Sequence, residues 1–403
     1  MKKPEGYTTA KVDQIIQEYE KKSANEQQST AKQYPNIITV VNETFADIKV
    51  LGDFKTNEDY MPYFHSLKKN CVTGYTYASI VGGQTANTEF ELLTGNTLGF
   101  LSAGTTAFQL YIHGQMPSLV SNLKAEGYSG NKAMHPFNPY NYNRPAVYKD
   151  FGFTDFIDKF DFPKNVKRVR EYISDEANVD RIISEYEKNR KKTDQPFYMY
   201  NMTIQNHSPY DKDAANFKQP IKIESSKYDA EANRYLNLIK YSDDSLKQLT
   251  SYFEKCKEPT IILFLGDHQP RLTDEFMNKI TNGQYQTWSS EQMMKRYQVP
   301  FVIWANYDIK GQHIEKTSMN YIQSILTQTA GVKMTGYQRF LNEVRKEVPT
   351  ITSQGYWGKN GKFYQINDKG SPYYGIIQKY RMIQYNMMFD KKNRRDSFFE
   401  VSK

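Results

Sequence analysis

Four runs of apolar, largely β-branched or aromatic residues punctuate the chain, and each ends in polar groups. PNIITVVNE (35–43) stops at Asn42 and Glu43, FYMYNMTIQNH (197–207) at Asn206 and His207, PTIILFLGDHQP (259–270) at Asp267 and His268, and VPFVIWAN (299–306) at Asn306. Runs of this length predict buried strands. Stretches 116–128, 181–192, 232–256 and 318–332 instead repeat apolar residues three and four apart, the spacing of one helix face. Strand and helix alternate, so the pattern predicts an α/β fold whose largely parallel central sheet is flanked by helices.

The two ends depart from this alternation. Val12, Ile15, Ile16 and Tyr19 space out one face of a short amphipathic helix, and the polar residues after it read as a linker, giving an N-terminal segment over 1–34. The main domain is then expected over 35–332. Beyond it, GYWGKNGKFYQIND (355–368) predicts a hairpin about Gly358 to Gly361, and 373–390 reads as mixed strand or helix. Residues 333–403 are therefore expected to form a smaller antiparallel α+β lobe.

Composition narrows the picture a little. The 403 residues carry a formal charge of +8, which suits an anionic membrane surface or a phosphate-bearing substrate as well as nucleic acid. Cys71 and Cys256 are the only cysteines, with no CxxC spacing, which excludes a disulfide framework and a cysteine-rich zinc site and predicts separate thiols. No apolar run approaches the roughly 18 residues needed to cross a bilayer, and MKKPEGYTTA lacks the apolar stretch of a secretion signal.

GGQTANTEFELLTGN (82–96) predicts a turn feeding a helix, with Thr85, Asn87 and Thr88 crowded at its start. The plain reading is capping: Thr85 or Asn87 accepts from an orphan amide and Glu89 favours the positive end of the helix. A second reading comes from the strand ends, since ligands of open parallel sheets bind beyond the carboxyl ends of the strands. Glu43, Asp267 and His268 there form a mixed oxygen and nitrogen set for one divalent cation: manganese, zinc or magnesium. With a cation beside it, the Thr85 hydroxyl becomes a usable nucleophile, and the helix amides can hold a phosphoryl oxygen.

HPFNPYNYNR (135–144) offers His135, Asn143 and Arg144 for a phosphate, and QNHSPY (205–210) offers Asn206 and His207. SDE (174–176) reads as a helix cap. His65, His113 and His313 lie in segments without partner groups and read as structural or surface residues.

These motifs, in this order, resemble the extracellular catalytic domain of the lipoteichoic acid synthase family, within the alkaline phosphatase and sulfatase superfamily. The likeness runs from PNIITVVNETFADI through GGQTANTEFELLTGN, HPFNPYNYNR, TIQNHSPY, RYLNLIKYSDDSL and LGDHQPRL to VPFVIWANYDI and QYNMMFD. It implies that Glu43, the nucleophile Thr85, Asp267 and His268 hold the metal, most often manganese. It also implies that His135, Tyr142 with Arg144, and His207 form a glycerol phosphate pocket.

The implied reaction moves glycerol phosphate from phosphatidylglycerol to a hydroxyl of a cell-wall polysaccharide or teichoic acid through a phosphothreonine, with no nucleic acid partner. The implied location is the outer face of a bacterial membrane, with an anchor before residue 1. Tyr142 stands where the polymerising synthases carry Trp, and the pocket Asp after the first His lacks a counterpart. TANTEFELLTGN and TIQNH resemble instead the branch that decorates cell-wall polysaccharides. Formylglycine sulfatases require a Cys or Ser followed by x-Pro-x-Arg, and neither Cys71 nor Cys256 sits in such a motif. The same site would also suit a phosphodiesterase or a phosphoethanolamine transferase, and an enzyme-like fold that only binds anionic polymers is the non-catalytic alternative.

Overall fold

The run at 36–42 becomes the middle of the sheet because it is apolar on both faces, so both faces must be covered. In the computed structural model, which describes residues 1–23, 33–224, 229–283 and 285–401, this strand is buried at every position. In chain order the strands are β1 (Asn36–Asn42), β2 (Cys71–Tyr77), β3 (Ser129–Met134), β4 (Asp155–Ile157), β5 (Arg168–Val169), β6 (Tyr172–Ile173), β7 (Phe197–Met202), β8 (Thr260–Gly266), β9 (Gln298–Ala305), β10 (Gln312–Ser318), β11 (Thr350–Thr352), β12 (Gly355–Trp357) and β13 (Phe363–Tyr364). Eight of them form one sheet in the order β10-β2-β9-β8-β1-β7-β3-β4.

β1 runs parallel to β7 and β8, β3 to β7 and β4, and β10 to β2. The largely parallel sheet expected from the alternation is present. The exception is β9, which is antiparallel to both β8 and β2. An apolar run signals burial but carries no direction, so pattern alone leaves that reversal open.

The four predicted helical stretches are found, with shifted ends, as Leu119–Ala125, Asp175–Arg190, Ala230–Phe253 and Met319–Thr329. Asp175–Arg190 packs on Ala230–Phe253, and the Thr85–Thr94 helix packs on Met319–Thr329. None of the described helices is long and apolar enough to cross a membrane.

The N-terminal helix spans Thr9–Ser23 and buries Val12, Ile15 and Tyr19, as its spacing predicts. It docks on the helix Gly336–Glu347, where the rings of Tyr19 and Phe340 meet edge to face at 4.7 Å. Most of the expected linker, residues 24–32, lies outside the described residues. β12 and β13 form the hairpin expected about Gly358 to Gly361 and complete a three-stranded antiparallel sheet with β11. The ambiguous 373–390 segment is a helix, Tyr374–Phe389.

Two of the histidines read as lacking partners have them. His65 Nδ1 lies 2.8 Å from Asp59 Oδ2, and its Nε2 lies 3.6 Å from Asp47 Oδ2. The bond to Asp47, with help from Asp59, outweighs partial burial and raises the His65 pKa to about 9. His313 Nδ1 lies 3.1 Å from Thr73 Oγ1 across the β2–β10 pair. Asp47 and Thr73 are neighbours made by folding, invisible to local spacing.

Candidate active site

Two parallel strand ends meet to start the site. β1 and β8 are in register, with Asn42 opposite Gly266, so the next residues, Glu43 on one side and Asp267 and His268 on the other, emerge together. Position 266 requires glycine, because a Cβ there would fall 1.9 Å from the Phe45 carbonyl oxygen. Glu43, Asp267 and His268 are all buried and offer ligand atoms within 4.8 Å of one another.

The bonding around this trio leaves the inward atoms free. Asp267 Oδ1 accepts from the backbone amides of Thr44 (2.7 Å) and His268 (2.8 Å), while its Oδ2 has no hydrogen-bond partner among the described residues. His268 Nδ1 lies 2.9 Å from the Gln269 carbonyl, which suits a proton on Nδ1 and turns Nε2 inward, without a hydrogen-bond partner among the described residues. That Nε2 lies 3.2 Å from Asp267 Oδ2 and 3.8 Å from Glu43 Oε1. Burial, reinforced by the Asp267 carboxylate, pushes the Glu43 carboxyl well above its usual range. Unpartnered buried carboxylate and imidazole atoms converging on one point fit a divalent cation.

Thr85 opens the helix Thr85–Thr94 beside this set. The capping expected of it is not what holds the helix start. Gln84, in the left-handed conformation (φ 64°), occupies the cap position with no side-chain cap bond. Asn87 instead ties down the following loop, its Oδ1 accepting from Ala107 N and its Nδ2 donating to Thr105 O. Thr88 donates to the Asp267 carbonyl at 2.8 Å, which fixes the helix against the end of β8. Thr85 lines a cavity of about 70 Å³ that Glu43 and His268 also line.

His135, Tyr142, Arg144 and His207 line the same cavity. His135 follows β3, and its Nδ1 donates to the Met202 carbonyl at 3.0 Å. Burial, and then the Arg144 charge, hold its pKa well below normal, so the ring is neutral with Nε2 as an acceptor. His207 follows β7, lies 2.7 Å through Nδ1 from the Ser208 carbonyl, and stacks on Phe137. Tyr142 (φ 60°) and Asn143 (φ 58°) take left-handed conformations in succession, unusual for such residues, and the Tyr142 ring faces the Arg144 guanidinium at 5.2 Å. Asn143 itself is exposed and does not line the cavity, whereas Asn141 does.

Sequence reasoning missed what holds Arg144. Glu89, read as a dipole partner at the helix start, is fully buried and accepts from Arg144 Nε (3.1 Å) and Nη2 (2.7 Å). Tyr148 and Tyr200 donate to its other oxygen. Burial works against the Arg144 charge, but Glu89 more than offsets it and raises the guanidinium pKa above its ordinary value. Removing one member of a buried pair strands the other charge. Glu89→Gln is therefore expected to cost about 3 kcal/mol of stability, read by chemical denaturation, and to weaken binding of any anion that Arg144 holds.

A second buried network sets the loop after β7. Asn206 donates to Asn42 Oδ1, the Glu43 carbonyl and Ser242 Oγ, while Asn42 and Ser242 both donate to Asp175 Oδ2. Ser174 does cap its helix, as the SDE reading expects, accepting from Ala177 N. Asp175 beside it reaches inward and braces the end of β1.

Comparison with known proteins places this geometry in context. The Sulfatase family matches residues 35–332. A Rhizobium meliloti (strain 1021) protein named for cyclic β-1,2-glucan modification is 30% identical over 380 residues, which cover 92% of this chain and 57% of that protein. The chain thus spans little more than half the length of that relative. The Streptococcus pyogenes phosphoglycerol transferase GacH, solved with sn-glycerol-1-phosphate, superposes with a TM-score of 0.79 at 21% identity, covering 100% of both chains. The lipoteichoic acid synthase LtaP from Listeria monocytogenes gives 0.67 at 20% identity, covering 96% of this chain and 98% of its own. At such identities the two structures speak for a shared fold.

Proposed function

The chain belongs to the sulfatase family, within the alkaline phosphatase superfamily, and on that premise we propose that it is a metal-dependent phosphoglycerol transferase. One observation carries the reading: Thr85, Arg144, His135 and His207 line a single cavity with Glu43 and His268, two of the three buried residues, with Asp267, whose ligand atoms converge within 4.8 Å. Formylglycine sulfatase chemistry does not come with the family here, because no cysteine or serine of the sequence is followed by x-Pro-x-Arg.

Glu43, Asp267, His268 and Thr85 would hold the cation, which we propose to be manganese, with magnesium or zinc as alternatives. When bound, it supplies positive charge that favours the Thr85 alkoxide and offsets charge on the phosphoryl oxygens. Thr85 Oγ attacks the phosphorus of phosphatidylglycerol, the bond to the diacylglycerol oxygen breaks, and the threonine proton ends on that oxygen. Arg144 grips the phosphate as a rigid fork held by Glu89. His135, neutral with a free Nε2, and His207 suit the glycerol hydroxyls, and His207 can also carry the proton outward. In the second step an acceptor hydroxyl takes the phosphoryl group and its proton returns to Thr85. Most of the rate gain is then positioning and charge stabilisation, as phosphoryl transfer requires.

We place the acceptor among cell-wall glycans in preference to teichoic acid, supported by the relative named for glucan modification, and the donor on the outer face of a membrane. The donor is tested with fluorescent phosphatidylglycerol and phosphatidylethanolamine supplied separately. Release of diacylglycerol from the first alone is expected. Release from the second alone would make the protein a phosphoethanolamine transferase.

A further inference from the structure

We propose that a larger cavity beside the active site is the acceptor site and that it takes an uncharged sugar residue. The proposal rests on the phosphoglycerol transfer reading. The cavity holds about 680 Å³ and lies between the loop 98–105, residues 271–274, the stretch 285–297 and the turn at 353–354. It shares Gly82, Gly83, Gln84 and Arg271 with the cavity that Thr85 lines, so a short ridge of backbone separates the two. Gly83 keeps that ridge low. Its φ of +146° suits only glycine, and a Cβ there would meet nothing within 4 Å, so any side chain would project into the open space between the cavities.

The walls suit a sugar. Tyr285 and Tyr297 are half-buried and give flat rings with a polar tip, which accommodate the apolar face and the hydroxyls of a pyranose. Asp274, Ser353 and Gln354 are exposed at the rim and supply a carboxylate, a hydroxyl and a carboxamide, the donor and acceptor mix that vicinal hydroxyls need.

Charge separates a neutral glycan from a polyanion. Arg296 is buried and engaged by the wall, donating to the Pro270 carbonyl and to Met277 Sδ. Arg271 lines both cavities, at the ridge they share. Asp274 makes no hydrogen bond or ion pair with another described residue, and a free carboxylate there repels a phosphate chain while accepting from sugar hydroxyls. In the transfer, the sugar oxygen bonds to phosphorus, the bond from phosphorus to Thr85 Oγ breaks, and the sugar proton passes to Thr85.

The test supplies the chain with fluorescent phosphatidylglycerol and either cyclic β-1,2-glucan or a glycerol phosphate oligomer, and follows diacylglycerol release and acceptor labelling separately. Asp274→Asn and Tyr285→Ala are each expected to raise the KM for glucan by about tenfold, while diacylglycerol release without acceptor changes by less than about twofold. Asp274 is exposed, so its substitution reads the site independently of folding. Unchanged glucan KM in both variants, equal loss of both activities, or wild-type labelling of the oligomer and not the glucan would each overturn the proposal. Absence of diacylglycerol release from the wild type would refute the donor reading first, and the acceptor site with it.

Discussion

Thr85→Ala is expected to lower diacylglycerol release from phosphatidylglycerol by at least about a thousandfold, because in the proposed mechanism Thr85 Oγ is the atom that bonds to phosphorus in the first step. The fold should survive the change. Thr85 is 7% exposed, and its hydroxyl makes no hydrogen bond with another described residue, so the alanine variant loses no structural contact of that kind. The helix stays anchored through Thr88 and Asn87, which hold the end of β8 and the 105–107 loop. A melting temperature close to wild type, together with abolished release, separates loss of a nucleophile from loss of structure. Retained release would place the nucleophile elsewhere.

Removal of the cation is expected to have the second large effect. Glu43, Asp267 and His268 are buried beside one another, and the inward atoms Asp267 Oδ2 and His268 Nε2, 3.2 Å apart, have no hydrogen-bond partner among the described residues. Buried carboxylates crowded together cost several kcal/mol when charged, so a bound cation would stabilise the set, and in the proposed mechanism it would also favour the Thr85 alkoxide. Treatment with EDTA should abolish turnover, with recovery on addition of manganese. His268→Ala, which removes the nitrogen ligand, should lower metal content and activity together. Full activity of the chelated protein would contradict this account and point to catalysis that does not need the metal.

How far the chain could be read in advance depended on where its information was local. β1 and β8 were legible because their apolar runs are unbroken and then stop abruptly at Glu43 and at Asp267 with His268. Their register could only be inferred, yet parallel neighbours bring such ends together. β2 was not legible: CVTGYTY mixes Thr73, Gly74 and Thr76 into the strand, and Gly74 is there because a Cβ would lie 1.9 Å from the Ile314 carbonyl oxygen on β10. β3, SGNKAM, is more polar still, since its strand character comes from pairing with β4 and β7.

The same contrast holds in the site. Thr85, His135, Arg144 and His207 stand in motifs whose residue types announce chemistry, and they line one cavity with Glu43 and His268. Glu89 misled because an acidic residue in the first turns of a helix already has a sufficient local explanation. Its partner Arg144 lies 55 residues away, and the tyrosines that complete its shell come from a helix and from the neighbouring strand β7. Asp175 was hidden in the same way behind a genuine cap at Ser174. Long-range electrostatic partners of this kind leave no periodic trace, and here they fix Arg144, the first residue of the helix Arg144–Phe151, in one buried position.

The central claim is a covalent glycerolphosphoryl group on Thr85. Its most direct test is intact-mass analysis, with peptide mapping, of the manganese-loaded protein after brief incubation with phosphatidylglycerol and no acceptor. The account predicts one added glycerolphosphoryl group, mapped to Thr85 and lost when acceptor is supplied. Diacylglycerol release from a protein that stays unmodified throughout, or a group mapped to any other residue, would contradict it.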